Sequence, residues 1–483
     1  MTKTLRLWAV LLSLLFLLAA CGQKSGVALK SDGSGGTGAA VGTGGGDDLG
    51  GGEVVGGEVV GGGEVAPGTD TGAGGTPVAG GGTGGGAPAS GGGSAAPSGG
   101  TPAGATKPGA TAAAADRTGI TDKEIVIGIH APVTGAAPID QDSFESGVGV
   151  YWDFVKKKGG ILNGRNVRVV FRDDQFSPVR ARQVCTEMVE KEKVFLLVGG
   201  AGADQITACA QYANSVGVPY ISAGVNTNGL EALKTYFAIS QTYAQQSTLL
   251  AQLVKNNLKK TAVSMITMET PSFVDARASA KKAFQAAGIA IKADETISKN
   301  ASSSEAQAKS QKLKEAGADV VYVLTSPTIF LNLAAGGQSQ NFVPQYVGPG
   351  ITNGLNLVAT AGCPAIGAAK FLSPFPQLDA IDALDPDFRP AYRAKTGEDP
   401  DDIGIILWGV NKTLRVMFDA TGPQISRQSY MATLESGKQF STNVFPDSKF
   451  SPQSHFGGLS SHLLSADCVA RQYKTAARFA TSF

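Results

Sequence analysis

From residue 118 onward the chain alternates between short apolar runs and amphipathic stretches, and this rhythm limits the folds open to it more than any other feature. Residues 124–129, Glu-Ile-Val-Ile-Gly-Ile, read as a strand ending in a Pro-Val-Thr-Gly turn. Val148, Tyr151, Trp152 and Val155 follow at helical spacing up to Gly159-Gly160. Strands are expected at 167–171, 194–198 and 218–222, separated by helices carrying Val184, Met188 and Val189, then Ile206, Cys209, Ala213 and Val216. The run at 194–198 is continuously apolar, as befits a strand covered on both faces. The pattern restarts near Thr261, with strands at 262–267, 289–291, 320–324 and 346–347 and helices at 273–287, 304–316 and 329–335. Repeated strand–helix units imply parallel sheets with helices on both faces, and two such runs imply two similar α/β lobes joined near residues 239–244. Ligands of open α/β sheets sit beyond the carboxyl ends of the strands, so functional residues are expected just after each strand.

The first 117 residues are of a different kind. Lys3 and Arg6 precede a leucine-rich run from Leu7 to Ala20, which closes in Leu18-Ala19-Ala20-Cys21. A positive start, a short apolar core and small exit residues describe a secretory signal at 1–20, too short to span a bilayer comfortably. The tetrapeptide resembles a bacterial lipobox, which implies lipidation of Cys21 and anchorage to the outer face of the cytoplasmic membrane. Residues 21–117 are mostly Gly, Ala, Ser, Thr and Pro with a small repeat, Gly-Glu-Val-Val-Gly, at 52–56 and 57–61. So few large apolar side chains cannot offset chain entropy, and a flexible tether with a mean span of about 50–60 Å is expected.

Composition excludes several functions. The chain has 41 basic and 40 acidic residues, so no basic surface invites nucleic acid. Its histidines are His130, His455 and His462, none in a zinc-binding spacing. There is no Gly-x-Ser-x-Gly elbow and no phosphate loop. Gly199-Gly200-Ala201-Gly202 opens a helix but fails the Gly-x-Gly-x-x-Gly spacing of a dinucleotide site. Bare N–H groups at such a turn suit a carboxylate without any nucleotide. Asp173-Asp174 and Asp401-Asp402 sit at turns and read as solvated or capping carboxylates. No catalytic residue, metal or cofactor is expected. Cys185, Cys209, Cys363 and Cys468 form an even set in an exported chain. Of three possible pairings, Cys185–Cys209 is favoured because the two lie on successive helices, and Cys363–Cys468 because it would pin the C-terminal segment. The alternative is four free buried thiols.

Ile125-Val126-Ile127-Gly128, Pro132-Val133-Thr134-Gly135, the segment Lys158-Gly159-Gly160-Ile161-Leu162-Asn163-Gly164-Arg165 and Arg172-Asp173-Asp174 together resemble the opening of the type I periplasmic-binding proteins. Their branched-chain amino-acid-binding branch is the most similar; Val198-Gly199-Gly200, residues 217–222 and Gly348-Pro349-Gly350 continue the likeness. The resemblance implies two doubly wound α/β lobes joined by three hinge crossings, with a small-molecule ligand in the cleft. Lobe one is expected at 118–241 and 373–450, and lobe two at 242–372 and 451–483. It further implies an ABC importer as partner, through its permease and ATPase; a ligand-sensing subunit signalling to a membrane partner is the alternative.

Carried over by the resemblance, the ligand-binding positions are Asp140, Ala203, Asp204, Gln205, Val225, Asn226, Phe273, Ser326 and Gly350. Two depart from the family. Ala203 stands where a serine hydroxyl meets the ligand carboxylate, and Gly350 where a glutamate holds the ligand ammonium. An unpaired ammonium in a closed cleft is costly, so a standard branched-chain amino acid is not the expected ligand. Asp140 and Asp204 are available to hold a cation or hydroxyls and Phe273 to cover an apolar portion. A short carboxylate, an amide-like solute and a small aromatic all remain open.

Overall fold

The computed structural model describes residues 115–224, 229–317, 319–350 and 353–483. Cys21 and the segment before residue 115 lie outside the described residues.

The apolar run at the start of the domain forms β1 (Glu124–Ala131), every residue of which after the first is buried. It is followed by α1 (Gln141–Gly147), α2 (Val150–Lys157), β2 (Asn166–Asp173), α3 (Pro178–Glu190), β3 (Leu196–Gly199), α4 (Ala203–Ser215), β4 (Tyr220–Ser222) and β5 (Tyr236–Ala238). The five strands make one parallel sheet in the order β2-β1-β3-β4-β5. Where periodicity suggested a single helix around Tyr151, the chain makes two, because Val148 and Gly149 turn it between α1 and α2.

The second lobe repeats the plan: α5 (Tyr243–Gln252), β6 (Ala262–Met268), α6 (Val274–Ala286), β7 (Ala290–Ile297), α7 (Ser303–Glu315), β8 (Val320–Leu324), α8 (Pro327–Gln338), β9 (Gln345–Pro349), α9 (Asn356–Gly362) and β10 (Lys370–Ser373). Its parallel strands run β7-β6-β8-β9-β10, the same order as in the first lobe. The chain then returns to lobe one with α10 (Leu378–Leu384), α11 (Phe388–Thr396), α12 (Asp402–Thr421) and α13 (Arg427–Leu434), followed by the small pair β11 (Gln439–Phe440) and β12 (Ser448–Lys449). Helix α12 packs on α1 and α2, and α11 on α2. Trp152 fixes this packing by donating its indole N–H to Asn411 at 2.8 Å, deep in the core. Finally β13 (Ser461–Asp467) and β14 (Gln472–Ala480) extend the second sheet, β13 antiparallel to β10 and β14 antiparallel to β13. Among the described residues no helix is long and apolar enough to cross a membrane.

Three crossings therefore connect the lobes: after β5, after β10 and before β13. The first and third run side by side. Ala238 donates its N–H to His455 O and accepts one from Gly457, each at 2.9 Å, and Ser461 Oγ donates to Gln241 Oε1 at 2.7 Å. Gly458 makes this possible, since a Cβ there would lie 2.2 Å from the Ser240 carbonyl carbon. The second crossing is stitched down by Gln377, fully buried, whose carboxamide donates to Gly354 O and to Asp402 and accepts from Asn356.

The disulfides are Cys185–Cys209, joining α3 to α4, and Cys363–Cys468, joining the end of α9 to the turn after β13. The Cα separations of 5.9 and 5.2 Å are ordinary for such bonds.

Two outcomes are expected. Gly458→Ala forces backbone against backbone in the paired crossings and should cost about 1–3 kcal/mol in urea-induced unfolding; a variant as stable as the parent would contradict the close approach. Asp402 gives a pH effect. Burial pushes its carboxyl from 3.8 up to about 6. An acid with a raised folded pKa holds its proton more tightly when folded. Its stabilising contribution is thus complete below pH 3.8 and is lost as pH rises to about 6, a change of at most about 3 kcal/mol. Asp402→Asn cannot titrate, so the parent should lose stability relative to this variant between pH 4 and pH 7, and parallel unfolding curves across that range would refute the assignment.

Candidate functional site

In a sheet of order 2-1-3-4-5, the connections leaving the first and third strands depart to opposite faces, and a crevice opens between their carboxyl ends. Both lobes have this order, and both crevices face a shared cleft of about 350 Å³. Its walls are the segments that follow the strands. Residues 136–139 follow β1, 176–178 follow β2 and 201–205 follow β3; from lobe two come Thr270 and Phe273 after β6, Lys299 and Asn300 after β7, Thr325 and Ser326 after β8, and Gly350, Asn353 and Leu355 after β9.

The loop after β1 is held in place by Asp173, whose carboxylate accepts from the N–H of Val133 at 3.0 Å and from the Thr134 hydroxyl. Partial burial opposes ionisation of Asp173, but these bonds and those from the Gln175 and Thr134 N–H groups outweigh it and hold its pKa below the usual value. Asp174 is fully buried and accepts from His130 Nδ1 at 2.8 Å; His130 Nε2 meets the Tyr220 hydroxyl at 2.8 Å. Read as a solvated or capping acid from its position in a turn, Asp174 does cap that turn, accepting the Phe176 N–H at 3.0 Å, but it is not solvated and also ends a buried relay. Burial pushes the Tyr220 phenol well up, so it stays protonated and donates to the imidazole. None of the three side chains is exposed, so the relay braces β1, β2 and β4 and offers no nucleophile to the cleft.

The same network explains the glycine-rich turn after β3. A Cβ on Gly199 would fall 1.5 Å from the Tyr220 hydroxyl, and one on Gly200 would fall 2.6 Å from the His130 carbonyl oxygen. Close backbone approach accounts for these glycines. His130 also lies beside Cys185 and Cys209, but their sulfurs are bonded to each other.

The structure brings Ala203, Asp204, Gln205, Phe273, Ser326 and Gly350 together around the cleft. It does not bring Asp140 there: this exposed acid caps α1, accepting the Ser143 N–H at 2.9 Å, and its neighbour Ile139 lines the wall instead. Val225 and Asn226 lie outside the described residues.

Each of the six has a specific situation. Ala203 is buried at the first position of α4, a helix whose N-terminus has no side-chain cap. Asp204 was expected to be available to a ligand, but its carboxylate is occupied: the hydroxyls of Thr270 and Ser272, from the other lobe, donate to it at 2.7 and 2.6 Å. It is a tie across the cleft. Ser326 spends its hydroxyl as the N-cap of α8, accepting from Ile329 N. Phe273 is buried and stands edge-on to Tyr243 with ring centroids 5.7 Å apart. Gly350 has φ of +131°, a conformation L side chains rarely adopt, so the backbone itself, and not merely a shorter side chain, departs from a glutamate at this point. Gln205 is only 3% exposed, and no hydrogen-bond partner for its carboxamide is present among the described residues.

Sequence reasoning missed Asn353 and Lys299. Asn353 is 2% exposed; its amide donates to Thr325 O at 3.2 Å while its oxygen has no partner among the described residues. Lys299 is the one cation among the residues lining the cleft, and it has no carboxylate partner among the described residues. No motif marks either residue, because both are defined only by the ends of β7 and β9. Buried amides without partners are costly and are expected where a ligand completes them.

Two lobes of one topology, facing each other across a polar-studded cleft and linked by three crossings, define a bilobal ligand-binding protein. The family model described as periplasmic binding protein matches residues 124–465, and the chain belongs to that family. A curated relative, an amino acid binding protein of Pseudomonas aeruginosa, is 25% identical over 148 residues, which make up 30% of this chain and 38% of that protein. The chain thus spans well under half the length of that relative. Among solved structures, a fatty acid ABC transporter substrate-binding protein from Thermomonospora curvata superposes with a TM-score of 0.64 at 18% identity, covering 76% of this chain and 95% of that one. The branched-chain amino acid transporter substrate binding protein LivJ from Streptococcus pneumoniae, in complex with isoleucine, gives 0.62 at 20% identity, covering 74% and 100%. A solute binding protein of an ABC transporter from R. palustris, in complex with benzoate, gives 0.59 at 19% identity, covering 73% and 95%. All three share the fold.

The tie at Asp204 has a measurable consequence. Hydrogen bonds to a charged acceptor contribute about 1.5–3 kcal/mol each, so Asp204→Ala should shift the ligand-free protein toward open lobes and enlarge its radius of gyration in small-angle scattering. An unchanged scattering curve would show that the contact does not govern closure.

Proposed function

We propose that the protein is an extracytoplasmic receptor, anchored through a lipid on Cys21, that captures a small molecule by closing its lobes and delivers it to the permease and ATPase of an ABC importer. The observation that carries this reading is one cleft walled by the strand ends of both lobes, with the Gln205 carboxamide on one wall and, on the other, Asn353, whose buried oxygen has no partner among the described residues. A solute between the lobes can supply that partner. Both ring nitrogens of His130 are spent, on Asp174 and Tyr220, so the relay lends no support to chemistry on the solute.

An α-amino acid fits poorly. The acid lining the cleft, Asp204, already receives two hydroxyls, and Gly350 offers no side chain. The structures of similar fold in complex with isoleucine and with benzoate, and the one named for fatty acids, leave a wide choice of solute to this architecture. The lobe boundaries we adopt are 118–241 with 373–450, and 242–372 with 451–483. The sequence Leu-Ala-Ala-Cys at 18–21 supports the anchor.

Thermal-shift and calorimetric screening of small solutes tests the receptor role. A true ligand at about a hundred times its Kd adds roughly 2.7 kcal/mol to stability, and isoleucine should be among the weak ones. Failure of every small solute would refute the reading. For the anchor, Cys21→Ser should abolish radiolabelled palmitate incorporation; a variant that is still labelled would refute lipidation at this cysteine.

A further inference from the structure

A second, smaller space, an annex of about 70 Å³, lies against the lobe-one wall of the cleft, and Ile139, Ala201 and Leu355 line both. Phe144 of α1, Val198 of β3, and Ile403, Ile406, Leu407 and Val410 of α12 give it a wall almost entirely of carbon. His130 and Asn411 are the polar side chains among its lining residues, and both are spent. Both His130 ring nitrogens are bonded, to Asp174 and Tyr220. Asn411 accepts from the Trp152 indole and donates to Leu407 O, each at 2.8 Å. Water in such a space would lack the two to four polar partners it needs. At about 10–15 Å³ for one water-sized centre, the annex has room for on the order of five non-hydrogen atoms.

The polar equipment lies in front of the neck. Gln205 supplies a carboxamide whose N–H groups can donate to an anion, and Lys299 supplies positive charge, whereas the Asn353 amide N–H is spent on Thr325 O. Asp204 is the carboxylate among the described lining residues, and the hydroxyls of Thr270 and Ser272 already donate to it. A ligand that satisfies both regions is polar and anionic at one end and apolar at the other.

We propose that the solute is a monocarboxylate with an alkyl or aryl body, its head held in the cleft at Gln205 and Lys299 and its body inserted through the Ile139–Ala201–Leu355 neck into the annex. This rests on the receptor reading above and adds the ligand class.

Calorimetry on the full chain tests it, using straight-chain carboxylates from butanoate to decanoate, the alkan-1-ols and alkylamines of equal length, benzoate and isoleucine. Affinity should rise about fourfold per methylene until the annex is full and then level off. Acids should bind more tightly than alcohols, and amines more weakly than either. Lys299→Ala should erase the preference for acid over alcohol. Ala223→Leu, which projects three further carbons from the annex wall, should flatten the chain-length dependence. Should that variant not fold, Ile406→Phe serves the same end. Affinity independent of chain length, or unchanged dependence in the filled variant, overturns the proposal. If isoleucine or another polar solute binds while the carboxylates do not, the ligand class is wrong and the receptor reading stands. If no small solute binds, both fall.

Discussion

The site exists because two sheets of order 2-1-3-4-5 face each other with their switch points aligned. Everything else about the cleft follows from this constraint. The strand ends deliver seven loop segments to one place. Within lobe one the constraint is tightened by β1, which is buried on both faces and paired to β2 and β3 in register. The relay from Asp174 through His130 to Tyr220 locks the carboxyl ends of three of its strands. The loops that carry Ala203, Asp204 and Gln205 thereby start from a fixed base.

The strand–helix rhythm made the core of both lobes legible, because strands covered on both faces must be apolar throughout. Val320–Leu324 lies where the apolar run placed it. The chain after residue 373 was not legible in the same way. Its helices pack against lobe one and β13 and β14 pair antiparallel with lobe two, so neighbours in sequence serve different lobes and no local period reports it. At the site, the positions after strands β3, β6, β8 and β9 were legible, since the loops follow from the topology. What the side chains do there was not. Asp204 meets hydroxyls 66 and 68 residues away, Asp174 meets a histidine 44 residues away, and the geometry of Gly350 is a backbone angle that its letter permits but does not announce.

Ala203 and Gly350 share a physical logic. Each removes a polar anchor that suits a zwitterion, and each leaves the cleft wall smoother and less charged. The charged groups that line the cleft are Asp204, already met by two hydroxyls, and the exposed Lys299 ammonium.

Neither disulfide spans the cleft. Cys185–Cys209 lies wholly within lobe one and Cys363–Cys468 wholly within lobe two. Covalent stiffening is therefore confined within each lobe, while the three crossings and the Asp204 tie join one lobe to the other. Forming either bond therefore adds no covalent constraint to the path between the lobes.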